Sequence, residues 1–307
     1  MTFNKKIPVL KVNQWLDLWN TVPVNEEGGR KPPQHNFYVF SIKAPLLKKL
    51  SKVYPRKADA MREVEIGIQR RHDPERSSEI SNYLKRGYPL SEMGNKNTIP
   101  NEMKDLQMPG WLPTVIVANI LTKNTKRGRE IIRDEDVINL HSNEESNWIE
   151  LPDDIQNVDW DPIVPPIEII DGQHRLWAFD NEDKSIDDFE LPVVAFFDLD
   201  ITWQAYLFYT INVKPKRINK SLAYDLYPIL RIQEWLERSP DTANIYKETR
   251  AQEVIEILWS YKKSPWYNRI NMLGESQNNF TITQASFIRN LVASFIKTSV
   301  SKLDFSL

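Results

Sequence analysis

The chain of 307 residues contains no cysteine. This absence excludes disulfides, thiolate metal sites and a cysteine nucleophile, and it suits a reducing compartment, so we expect a cytoplasmic protein. No apolar run is long enough to cross a bilayer, so we expect no membrane span. With only nine glycines the chain also lacks a P-loop of the GxxxxGK(S/T) type. A nucleotide, if one binds, must therefore be held in another way.

Charge is nearly balanced overall but is distributed unevenly along the chain. The formal net charge is -2, yet residues 41–90 hold twelve Lys or Arg against six Asp or Glu. Residues 134–200 hold twenty Asp or Glu against two Lys or Arg, one of which is Arg175. This acidic region should repel phosphate, apart from that single guanidinium. Two interpretations stay open: Arg175 binds an anion, or it pairs with one of the surrounding carboxylates.

Apolar runs and helix signals predict an α/β protein with two domains. Strands are predicted at 37–42, 65–71, 113–121, 167–170 and 191–199, and helices at 13–19, 44–54, 73–86, 173–180 and 202–211. Residues 1–200 should form a mixed-sheet domain and 201–307 an all-helical one. The acidic, proline-spaced stretch 122–165 is predicted to be an insertion or hairpin, with a strand near 147–151.

The segment IEIIDGQHRLWAF joins an apolar strand to a helix through a glycine turn. Such a junction collects backbone N–H groups and the positive end of the helix dipole, which together favour anions. Gly172 permits close approach or a positive φ, Asp171 can cap the helix or hold a divalent metal, and Gln173 can orient a ligand. Arg175 offers a planar fork for phosphate, and His174 can accept or donate a proton near neutral pH.

The same residues also have a purely structural interpretation. Asp-Gly is a common turn, Asp is a common N-cap, and His and Arg in a first helical turn are often solvated. No spacing between His174 and the other histidines, at positions 35, 72 and 141, suits a zinc or iron site. We therefore expect no transition metal, and only Mg²⁺ brought by a nucleotide and held by Asp171.

Four segments together resemble the DGQHR-domain family, whose DndB-like members belong to DNA phosphorothioation and 7-deazaguanine DNA-modification clusters. They are DGQHR (171–175), IQRRHDPERSSEISNYL (68–84), TINVKPKRINKSL (210–222) and TITQASFIRNL (281–291). The resemblance implies a ParB/sulfiredoxin-like core followed by helices, nucleotide phosphates bound at the turn, DNA binding and DNA-dependent ATP hydrolysis. Sulfiredoxin's own reaction is excluded because it needs a cysteine.

The resemblance also implies roles for individual residues. Catalysis falls to Asp171, His174 and Arg175. Further contacts to ATP are expected from Gln69, Arg70, Arg71, Gly172, Gln173 and Asn212, and contacts to the DNA backbone from Lys214, Lys216, Arg217 and Lys220. Without the family match, the arginine pair and the basic loop could equally be solvated surface.

Three functional hypotheses follow. The leading one is a Mg²⁺-dependent ATP hydrolase coupled to DNA in a DNA-modification or defence system, with other proteins of that system as partners and self-association left open. The main rival is a DNA-binding regulator without turnover, and the third is a ParB-like CTPase or nuclease. The ten tryptophans could suggest base stacking, but helical spacing favours core packing for most of them, including Trp15, Trp19, Trp203, Trp235 and Trp259.

Overall fold

A computed structural model of the chain has a mixed α/β fold, which confirms the predicted fold class. The structure describes residues 4–23, 31–52, 73–88, 90–92, 101–127, 129–180, 184–214, 220–226, 243–273 and 282–295. The predicted strand at 65–71 lies outside these residues. None of the helices described there is both long and apolar enough to span a membrane.

An eight-stranded mixed sheet forms the centre of the fold. Its strands are β1 (Lys6–Asn13), β2 (Asn36–Lys43), β3 (Ser51–Lys52), β4 (Ile116–Ile120), β7 (Asn139–Ser142), β8 (Asn147–Glu150), β9 (Ile167–Asp171) and β10 (Glu190–Phe197), and the order across the sheet is β3-β9-β4-β10-β2-β1-β8-β7. Strands β4 and β10 pair in parallel, whereas β9 runs antiparallel to β4. The carboxyl end of β9 therefore lies at one edge of the sheet, and the carboxyl ends of β4 and β10 lie at the opposite edge.

Helices cover the two faces of this sheet. The helices are α1 (Ala44–Leu50), α2 (Pro74–Arg86), α3 (Gln173–Trp177) and α4 (Ile201–Asn212). The main core joins the apolar side chains of α1 and α3 to one face of β4, β9 and β10. On the other face a smaller cluster, made of Val117, Ile170 and Leu199, packs against the aromatic side of α4.

Helix α2 shows how local sequence signals place its ends. The Asp73 carboxylate Oδ1 accepts hydrogen bonds from the backbone N–H groups of Glu75 and Arg76, at 3.1 and 3.3 Å. Pro74 occupies the first helical position, where it loses no intrahelical bond. Gly87 follows the last helical residue with φ +67°, a conformation that favours glycine. The helix predicted at 73–86 is confirmed.

The predicted helix at 13–19 is wrong. Residues before it form β1, which pairs with both β2 and β8, and only a short 3₁₀ helix, Asp17–Thr21, follows. Most side chains of β1 are exposed, and only Val9 is buried. Because a strand with so little burial lacks a clear apolar alternation, its sequence signal is weak.

The acidic stretch 122–165 contributes to the sheet and to the core. Strands β7 and β8 form the predicted hairpin, and β8 attaches it to β1; a second small hairpin pairs β5 (Lys126–Arg127) with β6 (Glu130–Ile131). Ile149, Ile155 and Trp160 join the main core. The buried carboxylate of Asp136 accepts hydrogen bonds from Trp160 Nε1 and Arg133 Nε, at 2.8 and 2.7 Å.

The chain divides into two compact units. The first comprises residues 1–86 and 110–215, and the second comprises 87–109 and 216–307. The first unit thus includes α4, which lies beyond the domain boundary predicted at residue 200. The boundary itself stays a prediction.

The second unit contains three described α-helices, α5 (Lys220–Asp225), α6 (Ala243–Ser260) and α7 (Gln284–Ser294). Thr283 caps α7, as predicted, by accepting a hydrogen bond from the Ser286 N–H. The described part of residues 201–307 also contains one parallel pair of two-residue strands, β11 (Ile270–Asn271) and β12 (Ile282–Thr283). Strands of two residues are too short to show an alternating pattern, which explains why the sequence predicted helices alone.

Candidate functional site

The DGQHR turn begins with a β-bulge in β9. The pairing with β4 shifts between Val117 and Ala118, because Val117 lies opposite Asp171 whereas Ala118 lies opposite Ile169. One residue of β9, Ile170, is therefore extra. Regular alternation from Ile169 would turn Asp171 towards the face covered by α1 and α3. The bulge instead places it on the face covered by α4, opposite Val117.

Gly172 provides the sharp turn into helix α3. Its φ of +97° lies in the left-handed region, and its carbonyl accepts the N–H groups of Arg175 and Leu176. A Cβ at this position would lie 2.6 Å from Ile116 Cδ1 and 2.8 Å from Arg175 Nη2. Both the backbone conformation and the tight packing therefore require glycine.

The Arg175 side chain folds back over this turn. Its Nη2 donates to Asp171 Oδ2 at 3.0 Å and to the Val115 carbonyl at 2.9 Å, and its Nη1 donates to Thr114 Oγ1 at 2.9 Å. The guanidinium therefore pairs with a neighbouring carboxylate, which was one of the two interpretations left open by the charge pattern. It ties the amino end of β4 to the carboxyl end of β9.

Asn212, at the last turn of α4, also reaches Asp171. Its Nδ2 donates to Asp171 Oδ1 at 3.1 Å and to the Phe208 carbonyl at 3.0 Å. Both oxygens of Asp171 are thus engaged, one by Arg175 and one by Asn212. The structure brings together three of the residues that the sequence singled out, although they lie up to 41 positions apart.

His174 and Gln173 occupy the first turn of α3. His174 Nε2 accepts a long hydrogen bond of 3.4 Å from the backbone N–H of Asp73, the residue that caps α2. This contact connects the DGQHR turn to the α2 segment noted in the sequence. Gln173 is buried, so its side chain belongs to the interior of the first unit.

The remaining predicted site residues are only partly described. Gln69, Arg70, Arg71, Lys216 and Arg217 lie outside the described residues. Lys214 is exposed just beyond α4, and Lys220 is exposed at the start of α5 in the second unit. The proposed ATP clamp and DNA patch therefore stay predictions.

Asp171 is also the predicted metal ligand. Within the described ranges, no group of three or more His, Asp or Glu side chains converges as a metal site would. A single carboxylate is a suitable protein ligand for Mg²⁺ that keeps most of its coordination to water and substrate phosphates. The donor set at Asp171 fits such an ion and does not fit a metal held by the protein alone.

A buried polar network that the sequence did not predict lies between α4 and strands β4 and β9. The Glu168 carboxylate forms a bidentate pair with Arg127 and accepts hydrogen bonds from Asn119 Nδ2 at 3.2 Å and Gln204 Nε2 at 3.1 Å. Asn119 Oδ1 in turn accepts the N–H of Leu199 at 2.8 Å. Part of the signal was present, because Asn119 and Glu168 interrupt the apolar runs of two buried strands, whereas Gln204 is the one buried residue of a helix that is otherwise partly exposed.

The expectation that most of the tryptophans pack in the core is wrong for two of them. Trp19 is 49% exposed, and Trp15 is half-buried with its ring stacked on His35. Both lie in the segment where the predicted helix is absent, so the helical spacing on which core packing was argued does not apply. Trp259 does pack against the core of the second unit, and Trp235 lies outside the described residues.

The fold and the turn together define a mixed α/β protein with a polar strand-to-helix junction at one edge of its sheet. The chain belongs to the DndB family: the sequence model of this family, described as DNA-sulfur modification-associated, matches residues 32–228. The match covers the DGQHR turn and Asn212, and it ends before the resembling segment at 281–291. No curated protein and no solved structure matches the chain, so the likeness to ParB and sulfiredoxin stays a prediction.

Proposed function

We propose that the chain is a cytoplasmic, DNA-binding ATP hydrolase of a DNA-modification system, and that the phosphates of ATP bind at the DGQHR turn. Membership of the DndB family supports the association with DNA modification. The observation that carries the assignment of the site is the ion pair between Asp171 and Arg175 at a left-handed glycine. Its two charges have the signs needed to hold a divalent cation and a phosphate.

Binding would proceed by exchange of partners. Arg175 exchanges the Asp171 carboxylate for phosphate oxygens, which carry more negative charge and accept the same planar fork. Asp171 would then hold Mg²⁺, which would supply positive charge to neutralise the phosphates during transfer. Asn212 keeps the carboxylate in place through Oδ1 while this exchange occurs at Oδ2.

His174 is the proposed base. The hydrogen bond from the Asp73 N–H to Nε2 is long, at 3.4 Å, so this nitrogen can exchange it for a water molecule. After that exchange the imidazole can orient the water molecule and accept its proton. Arg70 or Arg71 would add a second cation to the phosphates, as the family resemblance implies.

Phosphate release from ATP, measured with and without DNA, tests this proposal. We expect His174→Ala and Arg175→Ala to abolish turnover, while circular dichroism shows that His174→Ala remains folded. His141→Ala is the matched control. His141 lies in β7, six strands away from β9 in the sheet, where it pairs with Glu150. Unchanged turnover in both DGQHR variants would refute the mechanism. A preference for CTP over ATP, or nicking of plasmid, would favour the ParB-like alternative.

A DNA-binding regulator without turnover is the second candidate. It is favoured by the three hydrogen bonds that Arg175 makes within the protein and by the engagement of both Asp171 oxygens, which is what a structural brace requires. In that case DNA binding should depend strongly on salt and weaken in the double variant Lys216→Ala/Arg217→Ala, with no phosphate release under any condition.

A further inference from the structure

An aromatic groove lies on the first unit between the N-terminal segment and α4. Its volume is about 620 Å³, and its lining includes Trp15, Trp19, Pro32, His35, Trp203 and Tyr206. Trp15 and His35 stack with their ring centroids 4.2 Å apart and their planes within 7°. Trp19 and Tyr206 stay about half exposed, at 49% and 53%. The groove thus presents flat aromatic surfaces to solvent.

A basic pocket lies at the carboxyl ends of the parallel strands β4 and β10, the edge opposite the DGQHR turn. Its volume is about 350 Å³, and the charged residues of its lining are Lys31, Lys123, Lys126, Arg127, Asp198 and Asp200. The lining holds four cations and two carboxylates, and one carboxylate, Asp200, is engaged in capping α4 through the Thr202 N–H. Carboxyl ends of parallel strands are a common place for ligands in α/β proteins.

The structure holds one of these cations firmly in place. Arg127 is paired with Glu168, and the Glu168 carboxylate is itself held by Asn119 and Gln204 in the buried network. The Nε and Nη2 of Arg127 face Glu168 and its Nη1 donates to the Lys126 carbonyl, so the guanidinium forms a fixed part of the pocket wall. By contrast, Lys31 and Lys123 make exposed pairs with Asp198 and Asp134, at 3.5 and 3.3 Å, which contribute little and are easily exchanged for another anion.

The basic pocket and the aromatic groove adjoin one another. Lys31 lines the pocket and the next residue, Pro32, lines the groove; likewise Ile201 lines the pocket and Trp203 lines the groove. The indole Nε1 of Trp203 donates to the Lys31 carbonyl at 2.8 Å, which joins the two walls. Both cavities belong to the first unit, so their adjacency is part of one compact body.

We propose that the basic pocket and the aromatic groove form one binding site for a nucleotide unit, with the phosphate in the pocket and the base stacked in the groove. Cations that follow a backbone beside aromatic rings that accept bases are the arrangement by which proteins hold single-stranded nucleic acid. Duplex DNA keeps its bases stacked on one another, so it cannot use the groove. The inference rests on the proposed association with DNA, not on ATP hydrolysis.

Fluorescence anisotropy of a labelled oligothymidylate of about twelve nucleotides tests the proposal. It is run without ATP, so that its result is independent of turnover at the DGQHR turn, and it is repeated with the matching duplex and with dTMP as competitors. We expect Tyr206→Ala to weaken binding of the single strand roughly tenfold, through lost stacking. Tyr209→Ala is the control, since Tyr209 is equally exposed on α4 but does not line the groove.

The basic pocket is tested by Lys126→Gln. The logarithm of the binding constant falls linearly with the logarithm of the salt concentration. The substitution should make this slope less steep by about 0.7, which is the contribution of one phosphate contact on a single strand. Lys11→Gln, an exposed change in β1 outside both cavities, should leave that slope unchanged.

The competitors distinguish the source of the nucleotide. Displacement by dTMP supports a site for a free nucleotide, and resistance to dTMP with strong binding of the oligonucleotide supports a strand. If the single strand does not bind, or if Tyr206→Ala and Lys126→Gln bind it like their controls, the proposal is overturned. Equal binding of the duplex with no effect of Tyr206→Ala also overturns it.

Discussion

Arg175 and Asp171 form an ion pair within a single turn of chain, with Nη2 3.0 Å from Oδ2 and both side chains about one-fifth exposed. The pair closes the DGQHR turn against the start of β4. Because it is shielded from water on most sides, it should contribute to stability as well as to any chemistry at the turn.

Arg175→Ala should therefore destabilise the fold by about 1–3 kcal/mol, since it leaves Asp171 partly buried without its cation and removes the bonds to Thr114 and Val115. Urea unfolding of the purified protein measures the change. Arg269→Ala, an exposed arginine in the second unit, is the control and should change the unfolding free energy by less than about 0.5 kcal/mol. Equal stability of the two variants would show that the pair is merely a surface contact.

Gly172→Ala should cost roughly 1–3 kcal/mol, because the added Cβ meets Ile116 Cδ1 and the backbone has φ +97°. Adding Ile116→Val removes the Cδ1 atom and should recover the part of the loss that is due to the clash. The strain from the positive φ would remain. A double-mutant cycle measured by urea unfolding separates the two contributions, and strict additivity would contradict the contact.

Glu168→Ala should destabilise the protein by about 3–5 kcal/mol, because it leaves the guanidinium of Arg127 inside the first unit without its carboxylate. Combining it with Arg127→Met removes the orphaned charge and should restore much of the stability. The measurement is again urea unfolding, with the two single variants and the double variant compared. If the double variant is as unstable as Glu168→Ala, the loss comes from Asn119 and Gln204 rather than from the charge.

Tyr224 predicts a pH dependence in the second unit. Burial, together with the charge and hydrogen bond of the Glu248 carboxylate 3.1 Å away, raises the pKa of its phenol to about 12. In the unfolded chain the phenol of this tyrosine ionises near pH 10. The folded state therefore holds this proton more tightly, and the stability gained from it is present below about pH 10 and is lost as the pH rises towards 12.

We expect Tyr224→Phe to make the free energy of unfolding fall less steeply than in the wild type between pH 10 and pH 12, the window set by the raised pKa. Chemical unfolding at several pH values in this window measures the slopes. Tyr261→Phe, at an exposed position of the same unit, should behave like the wild type. Parallel curves for the Tyr224 variant and the wild type would argue against a raised pKa.

The sequence predicts the elements whose signals are local. Strand β2 shows the alternation of Tyr38, Phe40 and Ile42 that lie buried on one face, and α2 carries a cap, a leading proline and a terminal glycine. These features depend only on neighbours in the chain. The strands that were missed, such as β1, gain their stability from pairing with distant strands.

The candidate site could be predicted in part. Residues Asp171 to Arg175 were identified from their types and spacing, and their place after a buried strand is confirmed. That the charges of Asp171 and Arg175 face each other could be stated only as one of two interpretations, because the choice depends on the start of β4. The aromatic groove was missed because its rings come from three segments that only the fold brings together.

Ile170, the extra residue of β9, sets the orientation of Asp171. The orientation therefore depends on how many residues the strand contains and not on which residues they are. Inserting one residue into β4 between Val117 and Ala118 would give Ile170 a partner, restore even pairing and turn the carboxylate to the side covered by α1 and α3, out of reach of Asn212, although every polar side chain of the motif would still be present. The relative length of these two paired strands is thus as strict a requirement of the DGQHR turn as the five letters themselves.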